Sequence, residues 1–307
     1  MPAHLSATAS AIFLAVLSST FTALSQAPVN DPYGLLPVAG ETQDTVNEPF
    51  ISAFSAQAAA EYLDRRAHLV EKNCYACHST FTHMPARSVL DPLADEVMQS
   101  RIRLERLMTL LLDPKTASSV QTQHIKRLRI LAPVELARHD AATTGTLAPL
   151  TRRALDAMWK LQQPDGGIDW IRVREAPQAI DDWWPVAMMA LGTAAAPDGY
   201  AQTEPARTAI EKLRGWFRTH PPQTHHERGL TLLAHSAIGG LMTDAERASH
   251  VEALFAAQHD DGGWSMTDLA PWKRKDGKPL DPTRTDGYAT GLCALVIARS
   301  GVPQDEP

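Results

Sequence analysis

Cysteine is scarce in this chain of 307 residues: there are three, and two of them, Cys74 and Cys77, fall in one short motif that leaves Cys293 alone. An internal disulfide framework is therefore excluded. Surplus positive charge is missing as well. With 29 Lys plus Arg against 35 Asp plus Glu the formal net charge is −6, which rules out a strongly basic nucleic-acid binder. Aromatics make up only 6%, yet seven of them are Trp, a skew that asks where the tryptophans sit. Long hydrophobic runs are absent too. The apolar stretch Ala11–Leu17 is far short of the roughly 20 residues that a membrane span needs, and no later segment comes close, so an integral membrane protein is not expected. What remains, 44% apolar and 21% charged residues, is the composition of an ordinary globular protein of one or two domains.

The N-terminus bears on compartment. Small residues at Ala23 and Ser25 follow the apolar stretch and suit cleavage after Ser25, so residues 1–25 read as a secretory signal peptide and the protein is expected to be exported to the periplasm. The n-region is weak, with His4 and no Lys or Arg. Residues 26–50 carry four Pro and four acidic residues without apolar periodicity, the mark of a disordered, solvated leader. From Ser52 to Lys72 the pattern changes: Phe54, Ala58, Tyr62, Leu63, Ala67 and Val70 recur at helical spacing, which predicts one amphipathic helix.

Directly after that helix stands Cys74-Tyr75-Ala76-Cys77-His78. Two thiols three positions apart can each add to one vinyl group of a haem while the adjacent imidazole reaches the iron, so C-x-x-C-H predicts one covalent haem c on Cys74 and Cys77 with His78 as axial ligand. A zinc site would want two further soft ligands, and the remaining Cys293 is more than two hundred residues away. A redox dithiol would sit between a strand and a helix, and no strand signal precedes the motif. For the sixth iron position the sequence offers Met84, which a loop could carry about 20 Å, then His83, Met98, Met108, His124 and His139, with His225 and His226 in reserve.

The second half contains a self-similarity. Leu161-Gln162-Gln163-Pro164-Asp165-Gly166-Gly167-Ile168 returns 96 positions later as Ala257-Gln258-His259-Asp260-Asp261-Gly262-Gly263-Trp264, and half that offset lands on Gly215-Trp216, read as a degenerate middle copy. Such a period suits helical-pair repeats. Helices are expected over 150–163, 182–195, 203–219, 224–241, 243–258 and 286–299, the third pair opening on a Thr243/Glu246 capping box. Every second helix is apolar nearly all round, as at Val186–Leu191 and Ala289–Ala298, and belongs to an inner layer.

Gln258-x-x-x-Gly262-x-Trp264 resembles the QW motif of the squalene-hopene cyclase and prenyltransferase repeats, although Ile168 stands where the first copy would have Trp. Together with C-x-x-C-H, the chain resembles exported, planctomycete-type proteins in which a cytochrome c-like segment precedes a squalene cyclase-like domain. The resemblance implies an all-α fold, a haem-binding helical segment over 51–145 running into an α/α toroid over 146–307, with the closing repeat lacking. It does not imply cyclase chemistry. No D-x-D-D occurs; Asp181-Asp182 and Asp260-Asp261 read as a helix cap and a turn, and Cys293 as a buried, inert thiol. No catalytic residue is assigned. The expected function is electron transfer or redox sensing with a redox partner protein, the toroid serving as scaffold or as a pocket for an apolar small molecule. A divergent enzyme acting on an isoprenoid or other lipid, and a partner-binding scaffold with a structural haem, are the alternatives.

Overall fold

The computed structural model describes residues 55–71, 78–117, 123–171, 177–178, 180–273, 277 and 279–303. The expected signal peptide and leader, Cys74 and Cys77 lie outside the described residues. Everything described is helical or loop, without a strand and with a single isolated bridge between Gln162 and Ile168, so the protein is all-α.

The N-terminal helices are α1 (Ala56–Glu71), α2 (His78–Leu90), α3 (Asp95–Leu112), the single turn α4 (Pro114–Ala117) and α5 (Gln123–Thr143). Then come α6 (Pro149–Trp159), α7 (Trp183–Ala195), a 3-10 turn at Tyr200–Gln202, α8 (Ala206–Thr219), α9 (His225–Ile238), α10 (Asp244–Phe255), the short α11 (Met266–Leu269) and α12 (Gly287–Arg299). The starts have local causes. Pro149 occupies the first turn of α6, where its missing N–H costs nothing. Thr224 with Glu227 and Thr243 with Glu246 close capping boxes on α9 and α10.

Helix α5 packs on α7, α7 on α9 and α9 on α12, forming a buried row. Helices α6, α8 and α10 lie against that row, α6 on α5, α8 on α7 and α10 on α9. The division follows the pattern of side chains: α7 buries nine of its thirteen residues, whereas α10 buries only Val251 and Leu254. Two close approaches set the spacing of the row. A Cβ on Gly192 of α7 would come within 2.8 Å of the Val134 Cα of α5, and Gly229 of α9 faces Leu292 of α12. The expected boundary at 145/146 falls in the α5–α6 turn, and one hydrophobic core runs across it from Leu63 and Met84 through Val134 to Leu292.

The two intact turn copies have one hydrogen-bonding scheme. Gln162 Nε2 donates to Gly166 O at 3.0 Å and Gln258 Nε2 to Gly262 O at 2.8 Å. Asp165 and Asp261 accept from the amides of Gly167 and Gly263, and Gly166 and Gly262 take the positive φ that the turn requires. Each turn docks on a following element. Gln162 also reaches Ala209 O of α8, and Trp264 N donates to the Thr290 hydroxyl of α12. The Trp264 indole instead turns back on its own helix, donating to Leu254 O at 2.7 Å. The Gly215-Trp216 copy is corrected: both residues lie inside α8. There the Trp216 indole lies against Gly167, so close that a Cβ on that glycine would meet its Nε1 at 2.5 Å.

Candidate functional site

The C-x-x-C-H motif falls between α1 and α2 in the sequence, with His78 as the first residue of α2. The two helices pack on each other and are pinned by a polar cluster. Asp64 of α1 receives His83 Nε2 at 2.9 Å and Arg87 Nε at 3.1 Å from α2. With Nε2–H committed to the carboxylate, His83 Nδ1 is a lone-pair acceptor, buried and without a hydrogen-bond partner. Burial holds the His83 imidazole below its ordinary pKa in spite of Asp64.

The candidates for a sixth iron ligand are in different places. Met84 is 1% exposed in the shared core. The residues from His78 to Met84 form continuous helix, so Met84 is only about 9 Å along the axis from His78 at 1.5 Å per residue; the longer span expected of a loop is not present. Met108 is likewise a core residue. Both nitrogens of His139 are engaged, Nδ1 by the Arg101 guanidinium at 2.8 Å and Nε2 by Pro92 O at 2.9 Å. Arg101 also pairs with buried Asp140 at 2.7 Å. Among the described residues no group of three or more His, Cys, Asp or Glu side chains could hold a metal ion, and no helix is long and apolar enough to cross a membrane.

A second cluster forms where α7, α9 and α12 begin. Each of these apolar helices needs a cap, and the caps bring polar side chains inward. Asp181 Oδ1 accepts from Trp183 N at 3.0 Å and Trp184 N at 3.4 Å, Thr224 caps α9, and Asp286 accepts from Ala289 N. Between them lies His226, 0% exposed, with Nε2 at 2.9 Å from the Tyr288 hydroxyl and Nδ1 at 3.9 Å from Asp181 Oδ2. The Trp272 ring covers the imidazole edge-on at 4.8 Å. Burial pushes His226 down to about 3. Burial, with Glu227 adding, raises Asp181 to about 6, and burial drives Tyr288 well above its usual range. Cys293 is fully buried with its thiol pKa raised by desolvation, as expected of an inert residue.

His225 and His226, the reserve iron ligands of the sequence, open α9, and His226 is buried there because Trp272 and Tyr288 cover the start of the helix. Asp181 does cap and Asp261 does form the turn, yet the meeting of Asp181, His226 and Tyr288 was not foreseen. The three are up to 107 positions apart, and only the packing of the buried row brings them together. Trp184 is buried and Trp183 packs edge-on against Trp216 at 4.9 Å, so both contribute bulk to the packing.

Comparison of the chain with protein families, with curated proteins and with solved structures finds no match in any of the three. The chain defines itself as an all-α protein with a buried row of apolar helices, a covering row and a polar cluster at the helix starts.

Proposed function

We propose that the protein is an exported, periplasmic cytochrome c-like protein carrying one haem bound covalently through Cys74 and Cys77, with His78 on the iron, for electron transfer with a redox partner protein or for redox sensing. The observation that carries this reading is C-x-x-C-H itself, placed at the start of α2. Its setting supports haem over the other chemistries of a paired thiol. A helix and not a strand precedes the motif, unlike a redox dithiol, and the third cysteine is buried in α12, out of use for zinc. The donor set suits haem by its chemistry, two thiols and a neighbouring imidazole, and the flanking helices contribute buried Phe81 and Leu63, with His83 held by Asp64. Bound there, the haem supplies a one-electron iron couple.

The helix pairs belong to the same proposal as an α/α toroid that serves as scaffold or as a pocket for an apolar small molecule. Desolvation, with the Arg138 guanidinium of α5 adding, lowers the pKa of Arg299 at the end of α12, and the nearness of these two residues supports a curved row whose ends approach each other. The test is a haem stain on a denaturing gel after export with a haem-attachment system, with oxidised and dithionite-reduced spectra. The expected result is haem that survives denaturation with a sharp reduced α-band, lost when Cys74→Ser and Cys77→Ser are combined. Helical protein without bound haem would overturn the redox reading.

A further inference from the structure

Helices α9 and α12 of the buried row meet through one polar pair. The Tyr288 hydroxyl and His226 Nε2 are 2.9 Å apart, and both side chains are 0% exposed. A hydrogen bond alone would hold the two helices, but the surroundings of this one also set its chemistry. Burial keeps His226 neutral, its pKa pushed down to about 3, so the ring carries one proton and one lone pair. The Asp181 carboxylate, with Oδ2 at 3.9 Å from Nδ1, favours the proton on Nδ1. Nε2 is then the acceptor, and the phenol donates to it.

That arrangement decides how Tyr288 can lose an electron. Burial drives the phenol well above its usual range, so oxidation cannot start from a phenolate. Taking an electron from the neutral phenol makes its O–H a far stronger acid than an imidazolium, and a base within hydrogen-bond reach must accept the proton. His226 Nε2 is that base. One electron leaves the Tyr288 ring for the oxidant, the O–H bond breaks and an N–H bond forms at Nε2, which leaves a neutral phenoxyl radical and an imidazolium. The new positive charge faces Asp181 in a buried setting, where attraction is stronger than in water. Trp272 is only partly buried, and its ring centroid lies 6.5 Å from Tyr288 and 4.8 Å from His226. An electron therefore reaches the surface across one aromatic ring while water is kept from the phenol. Tyr200 is the contrast. It is also 0% exposed and its hydroxyl donates to Asp156 at 2.9 Å, but the Arg152 guanidinium over its ring at 5.5 Å opposes the loss of an electron there.

We propose that Tyr288 and His226 form a proton-coupled one-electron site, in which a strong one-electron oxidant of the class generated from peroxide oxidises Tyr288 through Trp272 while His226 takes the phenol proton. This goes beyond the haem reading and does not depend on it.

The test is flash photo-oxidation of the full exported chain, with tris(bipyridyl)ruthenium as sensitiser and persulfate as quencher, read by high-field electron paramagnetic resonance. A tyrosyl radical is expected, lost in Tyr288→Phe and kept in Tyr200→Phe. His226→Phe removes the base and should lower the yield at least tenfold, Trp272→Leu should slow formation, and the parent should form the radical more slowly in D2O than in H2O. No tyrosyl signal in the parent, a signal that persists in Tyr288→Phe, an unchanged yield in His226→Phe or an unchanged rate in Trp272→Leu would each overturn the proposal. If His226→Phe does not fold, equal rates in H2O and D2O overturn it instead. A chain that forms the radical but carries no haem would sink the redox reading alone, and a haem-loaded chain without the radical would sink this proposal alone.

Discussion

Single glycines show how tightly the turns are built. Gly166 has φ +97°, and a Cβ there would lie 2.1 Å from the Lys212 carbonyl oxygen of α8, a backbone atom that cannot step aside. Gly145 has φ +65° with nothing near its missing Cβ. Gly166→Ala should therefore cost at least about 3 kcal/mol, and Gly145→Ala only about 1 kcal/mol of left-handed backbone strain, a contrast that urea unfolding of the two variants would measure. Similar losses would show that α8 moves away easily. The Asp-Gly-Gly signature of this turn was legible in the sequence. The reason for the second glycine was not, because it lies in the Trp216 indole from another helix.

At the scale of elements, the caps are the most legible features. The Thr243/Glu246 box expected from spacing is formed, with Thr243 Oγ1 accepting from Glu246 N at 3.2 Å, and the apolar helices expected as an inner layer are the ones buried. Thr243→Ala should lower stability by about 1 kcal/mol, measured by thermal or urea unfolding, since α10 is a covering helix with few buried side chains. Trp264→Phe should cost more, about 2 kcal/mol. It empties the space of the second indole ring at a buried position and leaves the Leu254 carbonyl with backbone amides alone. A Trp264→Phe variant as stable as the parent would mean that water replaces the indole N–H. What the periodicity could not give was the middle copy. The middle pair has no such turn at this position, since its Gly215-Trp216 lies inside α8.

Over the whole molecule, buried titratable groups set the response to pH, and their signs oppose. Glu135 of α5 is raised from 4.5 to about 7 by burial, with Arg138 only partly offsetting it. The native state holds this proton when the unfolded chain has lost it, so stability falls as pH rises from about 4.5 through 7, by about 3 kcal/mol at 1.4 kcal/mol per pH unit. Glu135→Gln should remove that loss, leaving the variant near the parent at pH 5 and more stable at pH 8. His226 acts in the other direction. Its pKa is depressed from 6.5 to about 3, so the unfolded chain takes the proton first and stability falls as pH drops below 6.5. His226→Phe should flatten the acid side, and denaturant unfolding from pH 4 to pH 8 reads both limbs; a parallel fall in parent and variant below pH 6.5 would show that His226 is charged in the native state.

The all-α class, the order of the helices in the second half and the Thr243/Glu246 capping box were determined by sequence alone, because each depends on residues a few positions apart whose spacing fixes which groups meet. The approach of the Trp216 indole to Gly167, the burial of Glu135 and the meeting of His226 with Asp181 were decided only by tertiary structure. In each, the partner lies on another helix or the surroundings are supplied by several, and a side chain's water and electrostatic field are properties of the packed whole.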